Sequence, residues 1–264
     1  PANKRVSLSR SVAYNLVKVP AYLQSMRYIH RRIKETGAEL VINFYELLAG
    51  LTYLAFRPSV PQISIGHQYL FLHRDFGFPA KSRCGLLRFF TRLTCIGASQ
   101  KLALSFREME DDERARIRVV PPLLRREVLS CESVEGDYLH GYMVNAGFGE
   151  NIKAWHREHP EVPLHFFWDK QDEAEVCKVD DTLSFHQIDD MKFLHYMAGC
   201  RAYATTAGFE SVCEAMYLGK PLLMVPAHIE QDCNAYDAAR TGAGVVSDEF
   251  DLRRLLNFSE NYRP

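Results

Sequence analysis

The residues of this 264-residue chain best suited to chemistry lie between positions 185 and 235. Thr205-Thr206-Ala207-Gly208-Phe209-Glu210-Ser211 reads as an apolar strand end, a glycine turn, and small and hydroxyl residues opening a helix. The first amides of a helix have no intrahelical acceptors and carry the positive end of its dipole. With the Ser211 hydroxyl they make a site suited to a diphosphate. Gly208 lets the backbone approach such an anion closely. Glu214 follows one helical turn after Ser211 on the same face, so its carboxylate stands behind the phosphate site, where ribose hydroxyls reach it. Gly219-Lys220-Pro221 then starts another apolar strand, and Glu230-Gln231 follows in a loop at its carboxyl end. An acid beside an amide supplies the acceptors and donors that a sugar's hydroxyls need.

The elements that must position these residues alternate. Residues 21–36 set Leu23, Met26, Ile29 and Ile33 at helical spacing, and Gly37 ends the run. A strand is expected over 39–44, a helix over 46–56 and a strand from 62 to 66. A helix over 86–93 and strands over 101–105 and 117–121 follow. Pro121-Pro122 and the charged run Arg125-Arg126-Glu127 read as a linker ending near Gly136. The second series runs strand 138–145, helix 152–159, strands 164–168 and 182–185, helix 190–197, strand 202–205, helix 210–218 and strand 221–225. Strand–helix–strand units of this size imply parallel sheets covered by helices. The reading is an α/β protein of two domains, 1–130 and 131–264, with a ligand in the cleft between them.

The composition, 47% hydrophobic and 25% charged, is that of a globular protein. No apolar stretch is long enough for a membrane-spanning helix, and the first residues do not read as a signal sequence. Seven scattered cysteines without a C-x-x-C pair suggest reduced thiols in a cytosolic protein. His156 and His159 lack a second ligand pair, so no metal site is expected. The net charge of −1 hides an asymmetry: residues 1–130 carry 21 Lys and Arg against 10 Asp and Glu, and the remainder 11 against 23. The basic half suits a phosphate-rich or membrane-surface ligand, or the two lobes simply attract each other.

The segment TTAGFESVCEAMYLGKPLLMVPAHIEQDCNA resembles the donor-binding signature of UDP-dependent GT-B glycosyltransferases. These include the plant and animal UDP-glycosyltransferases and the family 28-like bacterial enzyme that adds N-acetylglucosamine to lipid-linked muramyl pentapeptide. Gly208, Ser211, Glu214, Ala215, Gly219, Pro221, Glu230, Gln231, Asn234 and Ala235 fall on that pattern without a gap. The resemblance implies a GT-B fold of two Rossmann-like domains facing across a cleft, with the donor site in the second half. It also implies diphosphate contacts at Gly208 and Ser211, with Thr206 and Ala207 beside them in the donor site, ribose at Glu214 and the transferred sugar at Glu230 and Gln231. Gln187 matches a glutamine near the nucleoside, and Gly147 and Phe148 fall in the family's first C-domain loop. Thr206 stands where many members have a histidine. The aromatic residue that stacks on uracil has no clear counterpart, Phe185 and His186 being the substitutes.

The first thirty residues contain no apolar strand with a Gly-rich turn, so the N-terminal domain reads as incomplete, as does the tail after residue 257. His67, in Ile65-Gly66-His67-Gln68 at a strand end, is the candidate general base, or else a structural histidine. Around residues 85–93, Leu86, Leu87, Phe89, Phe90 and Leu93 alternate with Arg83, Arg88 and Arg92. That is either a helix on anionic membrane or ordinary core packing with a basic outer face. The expected function is hexosyl transfer from a UDP-sugar to a lipid-linked or small-molecule acceptor, without metal or other cofactor. A UDP-sugar epimerase or hydrolase, or a non-catalytic donor-binding homologue, stays open. The expected place is the cytoplasm, with peripheral contact at the inner face of a membrane left open, and no nucleic-acid partner is expected.

Overall fold

The computed structural model describes residues 19–80, 84–144, 146–170 and 173–263. Two compact units meet at Pro122 and Leu123.

The N-terminal unit holds a four-stranded parallel sheet in sequential order: β1 (Val41–Asn43), β2 (Gln62–Ile65), β3 (Ala98–Leu104) and β4 (Ile117–Val120). Helices α1 (Val19–Glu35), α2 (Leu47–Phe56) and α3 (Gly85–Thr94) make the connections, and a short 3₁₀ turn spans His67–Leu72. Gly50 lets α2 cross close to the end of α3: a Cβ there would lie 2.0 Å from the Leu93 carbonyl oxygen. On α3 the buried side chains are Thr91 and Thr94, whereas Leu86, Phe89 and Phe90 are exposed.

The C-terminal unit begins with α4 (Arg126–Leu129), a turn of helix inside the run that reads as linker, anchored by the fully buried Val128. It continues with β5 (Leu139–Met143), a 3₁₀ turn over Ala146–Phe148, α5 (Gly149–Glu158), β6 (Leu164–Trp168), β7 (Val176–Lys178) and β8 (Leu183–Gln187). Then come α6 (Asp190–Gly199), β9 (Ala202–Thr205), α7 (Phe209–Tyr217), β10 (Leu222–Met224), α8 (Ile229–Ala239), β11 (Gly244–Val246) and α9 (Leu252–Asn261). The seven strands lie in the order β11-β10-β9-β5-β6-β8-β7, all parallel except β7. The chain thus starts in the middle of the sheet, runs outward through β6 and β8, and returns to build β9, β10 and β11 on the other side. Successive connections leave in opposite directions at β5 and β9, so their carboxyl ends open a crevice, the usual ligand position in a doubly wound sheet.

The elements missing from the sequence reading are short or follow the last expected strand. β7 is three residues long, and the turn joining it to β8 is closed by Asp180, whose carboxylate accepts from the Thr182 and Leu183 amides. Glu230 and Gln231, expected in a loop, instead occupy the first turn of α8. Glu230 and Asp232 there complement the positive end of the helix dipole. Among the described residues no helix is long and apolar enough to cross a membrane.

Candidate functional site

The crevice is built from the loop that ends β9. Thr206 and Ala207 are fully buried. Ala207 has φ 63°, a left-handed conformation that costs an L-residue roughly 1–2 kcal/mol. The Asn234 amide on α8 holds it by donating to the Ala207 carbonyl at 3.1 Å. The Thr206 hydroxyl is buried without a hydrogen-bond partner among the described residues. Gly208 begins α7 with φ −64° and ψ 136°, a conformation open to any residue, and offers no side-chain cap. The left-handed position of this loop is Ala207. What Gly208 supplies is space: the nearest atom to a Cβ built on it is Ser211 Oγ, at 3.7 Å. Ser211 Oγ itself donates to the Gly208 carbonyl at 3.3 Å.

One turn further along α7, Glu214 is 5% exposed. Its carboxylate is gripped by Arg125 in a two-point fork, Nε to Oε1 at 2.6 Å and Nη2 to Oε2 at 2.8 Å. That hydrogen bonding raises the Arg125 pKa further above its ordinary value, outweighing partial desolvation. Beside the pair lies a cavity of about 280 Å³, lined by Tyr142, Ile188 and Phe193 together with Arg125, Asp190, Glu210, Ser211 and Glu214. Of the sequence-predicted residues, Ser211 and Glu214 meet here. Arg125, Tyr142, Ile188 and Phe193 are additions. Arg125 lies in the charged run that reads as a linker, and nothing in the spacing marks the other three except that Ile188 directly follows Gln187.

The remaining expected residues are placed as follows. Gln231 Oε1 accepts from the Ala227 amide at 2.9 Å, bracing the loop between β10 and α8, with Glu230 half-buried next to it. Gln187 ends β8 and donates to the Glu173 carbonyl at 2.6 Å. Gly147 is exposed in the turn after β5, whereas the Phe148 ring packs edge-on against Phe250 in the core. Phe185 is fully buried and stacked on Trp168, with centroids 4.3 Å apart, so its ring is core and cannot stack on a base from there. His186 points to the opposite face of the sheet, as strand alternation requires. Its ring, also buried, stacks on Phe167 and shares a 3.2 Å hydrogen bond with His165. Desolvation lowers the His186 pKa to about 4. Both aromatic substitutes for a base-stacking residue are thus corrected to core positions. His67, at the start of the 3₁₀ turn in the N-terminal unit, is 1% exposed, with Nδ1 at 2.8 Å from the Leu104 carbonyl. A larger cavity of about 1160 Å³ lies in that unit at the carboxyl ends of β3 and β4, among Arg74, Ser105, Arg107 and Glu108. None of the expected site residues lines it.

Comparison with known proteins places this geometry. The model of glycosyl transferase family 1 matches residues 1–262. No curated protein matches the chain. Among solved structures, the glycotransferase of kitacinnamycin superposes with a TM-score of 0.63 at 13% identity, over 95% of this chain and 75% of that one. Arabidopsis thaliana UGT89C1 complexed with UDP gives 0.61 at 15% identity, over 100% and 74%. The spinosyn rhamnosyltransferase SpnG complexed with thymidine diphosphate gives 0.54 at 11% identity, over 91% and 68%. At these identities the structural likeness speaks for the fold, which is GT-B, while the family match covers nearly the whole sequence. The chain belongs to glycosyl transferase family 1.

Proposed function

We propose that the chain binds a UDP-sugar at the carboxyl edge of the C-terminal sheet and transfers its hexose to an acceptor hydroxyl with inversion. The observation that carries this reading is the conjunction, at the crossover between β5 and β9, of an uncapped helix start, an open space over Gly208 and a buried carboxylate at Glu214. In the proposal, the α7 amides and Ser211 hold the diphosphate and stabilise its charge as it departs, which leaves no role for a metal ion. Glu214 receives the ribose hydroxyls. Glu230 and Gln231, at the start of the next helix, face the sugar. The apolar walls at Tyr142, Ile188 and Phe193 receive the base, in place of the buried Phe185 and His186. Solved relatives of the same fold carry UDP in one case and thymidine diphosphate in another. The base assignment to uracil rests on the signature from Thr205 to Ala235.

The buried His67 ring and its bond to the Leu104 carbonyl support a structural part for this residue rather than that of general base. The exposed Leu86, Phe89 and Phe90 beside Arg88 and Arg92 favour an acceptor presented at an anionic membrane over a freely diffusing one. The test is UDP release from UDP-sugars in three arms: no acceptor, soluble acceptors, and lipid-linked acceptors in anionic vesicles. Release that requires an acceptor, greatest with vesicles, is expected. Release or epimerisation without acceptor would instead identify a hydrolase or epimerase of the same fold, and binding without turnover in any arm a non-catalytic homologue.

A further inference from the structure

Arg125 is the third residue after the division at Pro122, in a stretch whose sequence suggests only a connection. Its fork on Glu214 occupies both oxygens of the carboxylate that the proposed function assigns to ribose. The carboxylate is 7% exposed and the guanidinium side chain 36%, so the cation is the partner with a face toward solvent. The fork uses two of the five guanidinium N–H donors.

The charge balance of the cavity gives that face a purpose. Among the described residues lining it, Asp190, Glu210 and Glu214 bring three carboxylates and Arg125 the single cation. An uncapped helix start contributes about half a positive charge, too little to offset three acids against an incoming diphosphate.

Resting on the donor-site reading above, we infer that Arg125 is a phosphate-binding residue of the donor site, exchanged from Glu214 when nucleotide enters. In the empty site the fork neutralises Glu214 and holds its carboxylate in place. Ribose hydroxyls then take over carboxylate oxygens, and the guanidinium turns N–H donors to the phosphates, a planar match of the kind that favours arginine over lysine.

The experiment is calorimetric titration of UDP and of uridine into the wild-type chain, Arg125→Ala and Arg125→Lys, with thymidine diphosphate and thymidine run in parallel. Thermal melting of each protein reports its folding. Arg125→Ala is expected to lose at least about tenfold in affinity for the diphosphate. Its affinity for the nucleoside should stay within about twofold or rise, because Glu214 is released for ribose. Arg125→Lys, which keeps the charge and loses the fork, should fall between and carries the test if the alanine variant does not fold. Equal losses for diphosphate and nucleoside would mean that Arg125 only clamps the chain to α7. An unchanged diphosphate affinity would likewise overturn the inference. Failure of the wild-type chain to bind any of the four would overturn the donor-site reading itself, and the inference with it.

Discussion

Ala207 and Gly208 show how a sequence motif and a backbone divide their labour. The motif draws attention to the glycine, yet the left-handed φ of 63° falls on Ala207, and Gly208 adopts φ −64°. The strain at Ala207 is held by the Asn234 amide on a different helix, so a residue within the signature but without an expected ligand fixes the loop that surrounds the phosphate position. Ala207→Gly should remove the steric cost while adding unfolded-state entropy, for a net gain of up to about 1 kcal/mol. Equilibrium denaturation checks this, and a loss of more than about 1 kcal/mol would show that the methyl group packs in a way that outweighs the strain. Spacing alone indicated Ser211 and Glu214 because both lie on one face of one helix. It could not indicate Arg125, which lies 89 positions from Glu214 in sequence and is brought to it by tertiary structure.

At the scale of elements, the alternation of short apolar runs with Gly and Pro breaks made the central strands and helices legible; β6 and β9 fall on their expected limits. Strand alternation also decided which expectations failed. Adjacent residues of β8 face opposite sides of a sheet covered on both, so Phe185 joins Trp168 on one face and His186 joins His165 on the other. No sequence-local signal separates a buried aromatic from one at a strand's open end. The second face carries a consequence for stability. His140 on β5 is the register partner of His165 on β6, His186 on β8 lies opposite Phe167 two residues further along, and Tyr196 of α6 packs against all three rings. Burial lowers all three pKa values, to about 3 for His140 and about 4 for His186, while Asp137 partly opposes the shift at His165 and Glu175 at His186. Because the unfolded histidines protonate near pH 6.5 and the folded ones do not, the unfolded state binds more protons below that pH. Stability should therefore be level above about pH 7 and fall as pH drops from 6.5 toward 4, by up to about 1.4 kcal/mol per pH unit for each of His140 and His186, with His165 acting in the same direction. Denaturation curves collected between pH 7.5 and 5 test this. His140→Phe should flatten the slope, and a stability independent of pH over that range would contradict it.

Over the full chain, the sequence reads as two series of alternating elements divided at residue 130. The structural division falls at Pro122 and Leu123, inside the stretch read as a linker, because Val128, Ser133 and Val134 fasten that stretch to the C-terminal sheet unit. Lys220 contributes to the same attachment, its buried ammonium donating to the carbonyls of Val134 and Cys200. The strand order, which determines where the crevice opens, was beyond reach of any local pattern, since it depends on which strand each helix returns to. In the proposed donor site the diphosphate lies over Gly208. A valine there is compatible with the observed φ and ψ, its Cβ meets nothing nearer than Ser211 Oγ at 3.7 Å, and it weakens the helix cap by about 1 kcal/mol, or 2–4 °C in melting temperature. Its side chain would fill the space assigned to the phosphates. Calorimetric titration of UDP into the wild-type chain and into Gly208→Val is the most direct test. Micromolar binding, about −8 kcal/mol, is expected in the wild type, and none in a variant that melts within those few degrees; equal binding by both proteins would put the diphosphate elsewhere.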